Sequence, residues 1–397
     1  ERQPSDWRIG TEYEKHVVDE AGRPLPYDGD GPTISGLLQH LADHRGWSPI
    51  LEGERVIGLL KNGASITLEP GGQVELSGAP FASLGEMERE LAEHVADLDA
   101  LRAAMNVRWL WAGANPCARL NEIPWMPKAR YAIMRAYLPS RGALAHSMMK
   151  ATATVQANLD FADERDMGRK LRLGMGLSSL VAALFANSPM GAAGLPTHGT
   201  PTAMRSWRWH VWSDTDPDRC GLLPWVFEAL PPSYEQWVDY ALDVPMFLLE
   251  KQGQIIDMAG RSFRDYAAHG HGGHEPTMED WSLHLSTLFP DVRLKTYLEM
   301  RSADTVSPKL IAALPALWKG LLYDNSALDA GWDLVKGWTF SERLEHRADA
   351  CRYALEAPVP GKRYLSQELA KELVAIAQAS LPEEERATLD PLAAIAA

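Results

Sequence analysis

The sequence is short of cysteine, of cations and of long apolar runs, and each shortage removes a class of answers. Three cysteines, Cys117, Cys220 and Cys351, in 397 residues are too few and too scattered for a disulfide framework or a zinc site. Lys and Arg number 39 against 53 Asp and Glu, a formal charge of −14. So acidic a balance argues against general affinity for nucleic acid or an anionic membrane, while leaving room for a local basic pocket that takes a small anion. The most apolar stretch, around 177–186, is roughly half the length of a bilayer-spanning helix. No signal peptide, repeat or low-complexity tract is visible, and with 46% hydrophobic and 23% charged residues the composition is that of a soluble globular chain. The expectation is a cytoplasmic protein, monomer or homodimer, with no nucleic-acid or membrane partner.

Helical patterns are plain. Over 83–105, Leu84, Met87, Leu91, Val95, Leu98 and Leu101 recur at three- and four-residue steps, and Ser83 followed by Glu86 reads as a capping box. Segments 34–44 and 367–381 read as amphipathic helices, and 166–186 as a more buried one. Two Gly-, His- and Pro-rich stretches, 198–201 and 267–276, read as mobile loops. The fold class expected is α+β, a single domain over 1–397 with a helical C-terminal portion from about Ser307.

Four shorter segments alternate as strands do, and their polar members are chemically specific. Glu12 and Glu14 point the same way from one strand, about 6–7 Å apart. Two such carboxylates repel each other, and a divalent cation resolves that conflict. In 66–77, Pro70-Gly71-Gly72 interrupts the ladder, a kink that aims Glu69 and Glu75 at one point. In 152–160 one face carries Thr152, Thr154, Gln156, Asn158 and Asp160, all short hydrogen-bonding groups suited to a pocket wall. In 293–301 one face carries Arg293, Lys295, Tyr297, Glu299 and Arg301, a place for phosphate and metal together. Each segment taken singly also fits a solvated strand. Taken together they describe a sheet with one apolar face, and a polar face bearing five carboxylates and three cations. That set suits Mg²⁺ or Mn²⁺ and a nucleotide polyphosphate, because hard oxygen ligands select such ions over zinc.

These residues resemble glutamate–cysteine ligase of the plant and proteobacterial type. The segments that carry the resemblance are 7–15 (WRIGTEYEK), 68–78 (LEPGGQVELSG), 126–131 (MPKARY), 155–161 (VQANLDF), 184–189 (LFANSP), 206–208 (SWR), 210–216 (HVWSDTD), 240–246 (YALDVPM) and 297–301 (YLEMR). The resemblance implies a glutamine-synthetase-like fold, a curved antiparallel sheet with metals on its concave face. It implies ATP-dependent joining of the glutamate γ-carboxylate to the cysteine amine through γ-glutamyl phosphate, the first step of glutathione synthesis. On that comparison Glu12, Glu14, Glu69, Glu75 and Glu299 match metal ligands. Arg301 stabilises the transferring phosphoryl group, with Lys295 and Arg293 on other phosphate oxygens. Arg208, or Arg205 in reserve, takes the glutamate α-carboxylate, while Gln73, Gln156, Asn158 and Tyr297 complete the substrate site. Tyr13 stands where the family has His, and Trp207 and Trp209 are bulkier than expected beside Arg208, which would narrow the pocket. A sister ligase coupling glutamate to another amine, or a non-catalytic binder of glutamate or nucleotide, remain as alternatives.

Other signals stay unpromoted. His269, His271 and His274 sit among glycines, as a surface loop does. Asp214, Asp216 and Asp218 lack the Gly and closing Glu of a calcium loop, and read as a turn with an ion pair to Arg219. Cys220 has no context of a nucleophile.

Overall fold

The computed structural model describes residues 1–189 and 204–397; the loop expected at 198–201 lies outside the described residues. The chain is mixed α and β, built on a nine-stranded sheet with helices. Seven strands come first: β1 (Ile9–Val18), β2 (Ser48–Glu52), β3 (Arg55–Lys61), β4 (Ala64–Leu68), β5 (Val74–Ser77), β6 (Arg108–Leu110) and β7 (Thr154–Leu159). Two more, Val292–Leu294 and Leu298–Asp304, complete it. Across the sheet the order is Val292–Leu294, Leu298–Asp304, β7, β1, β5, β4, β3, β2, with β6 paired to the end of β1. Every neighbouring pair is antiparallel.

Alternation divides the two faces. Ile9, Tyr13, Leu76, Val155, Ala157, Leu159, Leu298 and Met300 are buried in the core and all fall on one side by register. Four helices cover that side and its margins. These are α1 (Ile34–Arg45), packed on β3; α2 (Leu84–Met105), packed on β1; α5 (Glu164–Leu184), on the Leu298–Asp304 strand; and the Ala313–Leu322 helix, on β7 and β1. Close approach of α5 requires glycine at 174, where a Cβ would meet Met300 Sδ and Val292 Cγ2 at 2.9 Å each. Ser83 and Glu86 do form the capping box at the start of α2. From Pro308 onward every described element is helical, and no described helix is long and apolar enough to cross a membrane.

One strand expectation is corrected. Residues 293–301 are not a single alternating strand but a hairpin, with Lys295, Thr296 and Tyr297 at its turn and Arg293 directly opposite Glu299. In an extended strand those two residues would lie about 20 Å apart. No Gly, Pro or Asn marks the turn, which is why alternation alone read through it. Segment 152–160 is likewise shorter as a strand. Helix α4 (Ala145–Ala151) runs up to Thr152, and Asp160 turns away to accept from Arg8 N at 2.7 Å and Arg2 Nη1 at 3.1 Å.

The 70–72 kink is held from several sides. Gly72 N donates to Glu69 O at 2.9 Å, and Glu69 N to Gln73 O at 2.9 Å. The Gln73 side chain accepts from Gly71 N at 2.9 Å and donates to Thr152 O at 2.7 Å. A Cβ on Gly71 would lie 2.2 Å from the Lys150 carbonyl oxygen, so backbone packs on backbone there. Gly71→Ala should therefore lower stability by about 1–3 kcal/mol, read as a reduced urea midpoint. A wild-type midpoint in that variant would show that the contact has slack.

Candidate functional site

The polar face of the sheet forms the floor of a cavity of about 320 Å³. Register sets its arrangement: Glu14 faces Glu75, Glu12 faces both Ser77 and Gln156, and Glu75 faces Thr67. Four carboxylates, those of Glu12, Glu14, Glu69 and Glu75, line the cavity together with Arg208, Arg293, Lys295 and Arg301. The carboxylates come from β1, β5 and the kink between β4 and β5. The cations come from the 292–304 hairpin and from α6 (Trp207–Trp212).

Electrostatically the floor is strained. Burial, and then repulsion from Glu69 and Glu75, pushes Glu14 well above the ordinary carboxylate range, despite a hydrogen bond from Thr154 N at 3.0 Å. Burial, with repulsion from Glu12 and Glu69, pushes Glu75 up to about 8. Glu12 is raised by burial and by Glu299, and accepts from Asn158 Nδ2 at 3.1 Å. The Oδ1 of Asn158 is buried with no hydrogen-bond partner. A buried acceptor without a donor beside repelling carboxylates is what a bound cation would satisfy. Among the described residues, however, no three His, Cys, Asp or Glu side chains already stand close enough to hold a metal ion.

Glu299 is arranged in the opposite sense. It is fully buried, with Arg293 Nε at 2.8 Å, Lys295 Nζ at 2.9 Å and Arg301 Nη1 at 2.7 Å. Burial works to raise it, yet the three cations, Arg293 foremost, hold it well below the carboxylate range. Its cations differ in what else they do. Arg293 also donates to the carbonyls of Ser286 at 2.7 Å and Leu288 at 3.1 Å, which leaves it little capacity for a ligand. Lys295 has one further bond, to Tyr297 Oη at 3.1 Å. Arg301 donates to Gln156 Oε1 at 2.8 Å and lies 5.6 Å from the ring centres of both Trp212 and Phe289. Both rings line the cavity.

Arg208 reaches the cavity wall from α6, whose Ser206 caps the helix through a bond from Trp209 N at 3.1 Å. Its guanidinium donates to Arg301 O at 2.9 Å and Ser302 O at 3.3 Å. Burial lowers it to about 10, so it is a cation at neutral pH.

Not every expected residue converges. Arg205 is exposed and lies outside the cavity, its backbone N donating to Cys351 O at 2.8 Å. Gln73 lines the cavity, but its amide is spent on the kink. Tyr297, Asn158 and Glu299 are not among the residues that line the cavity. The expectation that Trp207 and Trp209 narrow the pocket is overturned: both are core residues, and Trp209 lies under Arg347, 3.9 Å from its guanidinium. Instead Trp212, one helical turn beyond Arg208, faces the cavity. Sequence reasoning also missed Arg130, Tyr131 and Phe289 in the lining. Of these, Arg130 and Tyr131 fall within the 126–131 segment that carries the resemblance, whereas Phe289 falls in none of those segments. Of the other readings, the loop expected at 267–276 is corrected in part, since 267–269 end a helix. Asp216 pairs with Arg219 at 2.7 Å, His269–His274 forms a tight turn after the Phe263–His269 helix, and burial pushes the Cys220 thiol up to about 12.

Comparison with known proteins now adds to this geometry. A model of glutamate–cysteine ligase family 2 matches residues 8–396. The chain is 46% identical over 341 residues to the chloroplastic glutamate–cysteine ligase of Brassica juncea, covering 85% of this chain and 64% of that protein. It is 43% identical over 379 residues to the chloroplastic enzyme of Nicotiana tabacum, covering 94% of this chain and 70% of that one. The chain thus spans about two thirds of the length of these relatives. Among solved structures it resembles a glutamate–cysteine ligase from Francisella tularensis in complex with AMP, with TM-score 0.57 and 14% identity, over 98% of this chain and 82% of that one. A bifunctional glutathione synthetase from Pasteurella multocida gives TM-score 0.55 at 12% identity, over 99% and 47%. At such identities these two structures speak for the fold alone. The plant names correct one expectation. They are chloroplastic, which overturns the cytoplasmic expectation. That expectation rested on seeing no leader, and a sequence that begins at Glu1 says nothing about location.

The raised carboxyls make a prediction for the metal-free protein. A carboxyl whose folded-state pKa lies above its unfolded value binds more protons when folded, so its contribution to stability is lost as pH rises through the folded pKa. With Glu75 at about 8, thermal stability in chelator should fall from pH 5 to pH 8, and Glu75→Gln should flatten that fall and raise Tm at pH 8. An unchanged slope in the variant would show that Glu75 ionises without penalty.

Proposed function

Since the chain belongs to glutamate–cysteine ligase family 2, we propose that it joins the γ-carboxylate of glutamate to the amine of cysteine at the expense of ATP, the first step of glutathione synthesis. The observation that carries this reading is a cavity in which four carboxylates face Arg208, Lys295 and Arg301. The whole of 1–397 acts as one catalytic α+β domain of glutamine-synthetase type, with the helices from about Ser307 packed on it.

A carboxylate is a poor acyl donor, so its γ-oxygen first takes the terminal phosphoryl group of ATP, giving γ-glutamyl phosphate and ADP. Arg301, with Trp212 and Phe289 beside it, stabilises charge on the transferring group, and Lys295 takes further phosphate oxygens. The Arg208 guanidinium grips the glutamate α-carboxylate, a group its planar fork matches. The cysteine amine then attacks the acyl carbon. The C–N bond forms, the amine proton is lost, and the C–O bond to phosphate breaks as the tetrahedral oxyanion collapses.

Glu12, Glu14, Glu69 and Glu75 are the proposed holders of Mg²⁺, with Asn158 Oδ1 as a neutral acceptor beside them; Mn²⁺ would serve equally. An ion held there would supply positive charge to offset that of the substrate phosphates. Mg²⁺ is generally bound by one or two carboxylates together with substrate phosphates rather than by a protein cage, which fits carboxylates that converge on a cavity without forming one. Glu299 is the fifth proposed ligand. Its oxygens become available only where phosphate oxygens take over Lys295 and Arg301.

The test is phosphate release from ATP with Mg²⁺ and glutamate, with and without cysteine, and the mass of the product. Cysteine-dependent release with a γ-glutamylcysteine mass is expected. Release only with another amine would move the acceptor, and no release would sink the reading. Glu12→Gln should lower kcat/KM by at least about 10³-fold, the scale of losing a main electrostatic element, with the Tm retained. Near-normal turnover at ordinary Mg²⁺ would remove Glu12 from the metal set.

A further inference from the structure

We propose that Asp304 is a positioning residue that fixes the Arg208 guanidinium against the cavity wall, so that glutamate is gripped in one orientation. The proposal rests on the assignment of Arg208 to the glutamate α-carboxylate.

Asp304 ends the last strand of the sheet and is fully buried. Its Oδ2 accepts from Asn187 N at 2.9 Å and Ser188 Oγ at 2.6 Å, and its Oδ1 from Ser206 Oγ at 2.9 Å. These three donors come from chain segments on both sides of α6's entry, which Ser188 and Ser206 join as a β-bridge. Ser188 Oγ in turn accepts from Arg208 N at 3.1 Å. The carboxylate is thus locked in place by groups that also locate the Arg208 backbone.

Its charge then acts on the guanidinium. Arg208 Nη1 lies 3.9 Å from Asp304 Oδ1, too long for a hydrogen bond, in surroundings that leave Arg208 only 2% exposed. Its hydrogen bonds go to the backbone carbonyls of Arg301 and Ser302, which carry only partial charge, and the Trp212 ring lies 5.9 Å away. A carboxylate held by three donors beside a buried cation supplies a fixed counter-charge from outside the cavity lining, while Arg208 itself lines the cavity. Asp304 is also the strongest influence opposing the effect of burial on Arg208. The hydrogen bonds account for local folding, whereas the charge accounts for Arg208, and a neutral isostere separates the two roles.

Asp304→Asn keeps the shape and lets the serine hydroxyls turn to accept, while removing the charge. In steady-state kinetics KM for glutamate should rise roughly tenfold, with KM for ATP and cysteine within twofold of wild type. Arg208→Lys should raise KM for glutamate at least as much, and adding Asp304→Asn to it should cost little more, because one residue acts through the other. Should Asp304→Asn fail to fold, Ser188→Ala, which removes the shortest bond to the carboxylate, should raise KM for glutamate selectively by a smaller factor. Fully additive effects, a parallel rise in all three KM values, or a lowered Tm with unchanged KM for glutamate would overturn the Asp304 proposal. An unchanged KM for glutamate in Arg208→Lys would overturn the Arg208 assignment itself, and the proposal with it.

Discussion

Repulsion among carboxylates held on one face of a sheet is the constraint around which the rest of the molecule is organised. Glu12, Glu14, Glu69 and Glu75 share a cavity, and for Glu12, Glu14 and Glu75 burial and like charge both favour the protonated form. A sheet of this kind is stable only if its opposite face more than offsets that cost. The offset is visible in the core. Ile9, Tyr13, Val155, Ala157, Leu159 and Leu298 are at most marginally exposed, and α2, α5 and the Ala313–Leu322 helix pack across them. The same period of two that points Glu12 and Glu14 at the cavity points Tyr13 at the core, so chemistry and packing are two readings of one strand.

The apolar face is not wholly apolar, and the charged residue on it follows from the same geometry. Lys15 shares the parity of Tyr13 and is completely buried. Its Nζ lies 2.5 Å from Nε2 of His94 on α2 and 4.5 Å from the Tyr13 ring centre. Burial holds both the lysine and the histidine well below their ordinary ranges, so the amine and the imidazole hydrogen-bond as neutral or singly protonated partners. Just through the sheet lie Glu14 and Glu75, whose charges pull Lys15 back toward the protonated form.

Much of this was legible because alternation is a local property. The strands of Glu12, Glu75 and Gln156, the capping box at Ser83 and the four main helical stretches all follow from spacing within a dozen residues. What was not legible depends on contacts distant in sequence or on a change of direction. The hairpin at 295–297 carries no turn residue, so Arg293 and Glu299 looked like neighbours on one strand face rather than partners across two. Phe289 reaches the cavity from a separate two-residue strand, and Tyr131 from the Ala129–Tyr137 helix, its hydroxyl donating to Leu68 O at 2.6 Å. Trp207 and Trp209 were misread for a simpler reason. On a helix the neighbours of Arg208 in sequence point sideways, whereas the residue four later, Trp212, lies on the same side. Placing Arg208 at the cavity therefore already implied Trp212 and excluded the other two.

The three cations around Glu299 look equivalent in sequence, yet the backbone sorts them. Arg293 has two carbonyls and both oxygens of Glu299 within reach of its guanidinium, so moving it to a ligand would strand buried acceptors, at about 1–3 kcal/mol each. Lys295 gives up one ion pair and one phenol bond, and its side chain is 31% exposed. Arg301 exchanges a carboxylate and an amide oxygen while keeping its two aromatic neighbours. An anion entering the cavity would therefore draw on Lys295 and Arg301, and Arg293 would remain as the anchor that keeps Glu299 charged and in place. The division of labour between holding a carboxylate and meeting a phosphate is thus set by which backbone carbonyls lie nearby, a feature that residue type alone does not encode.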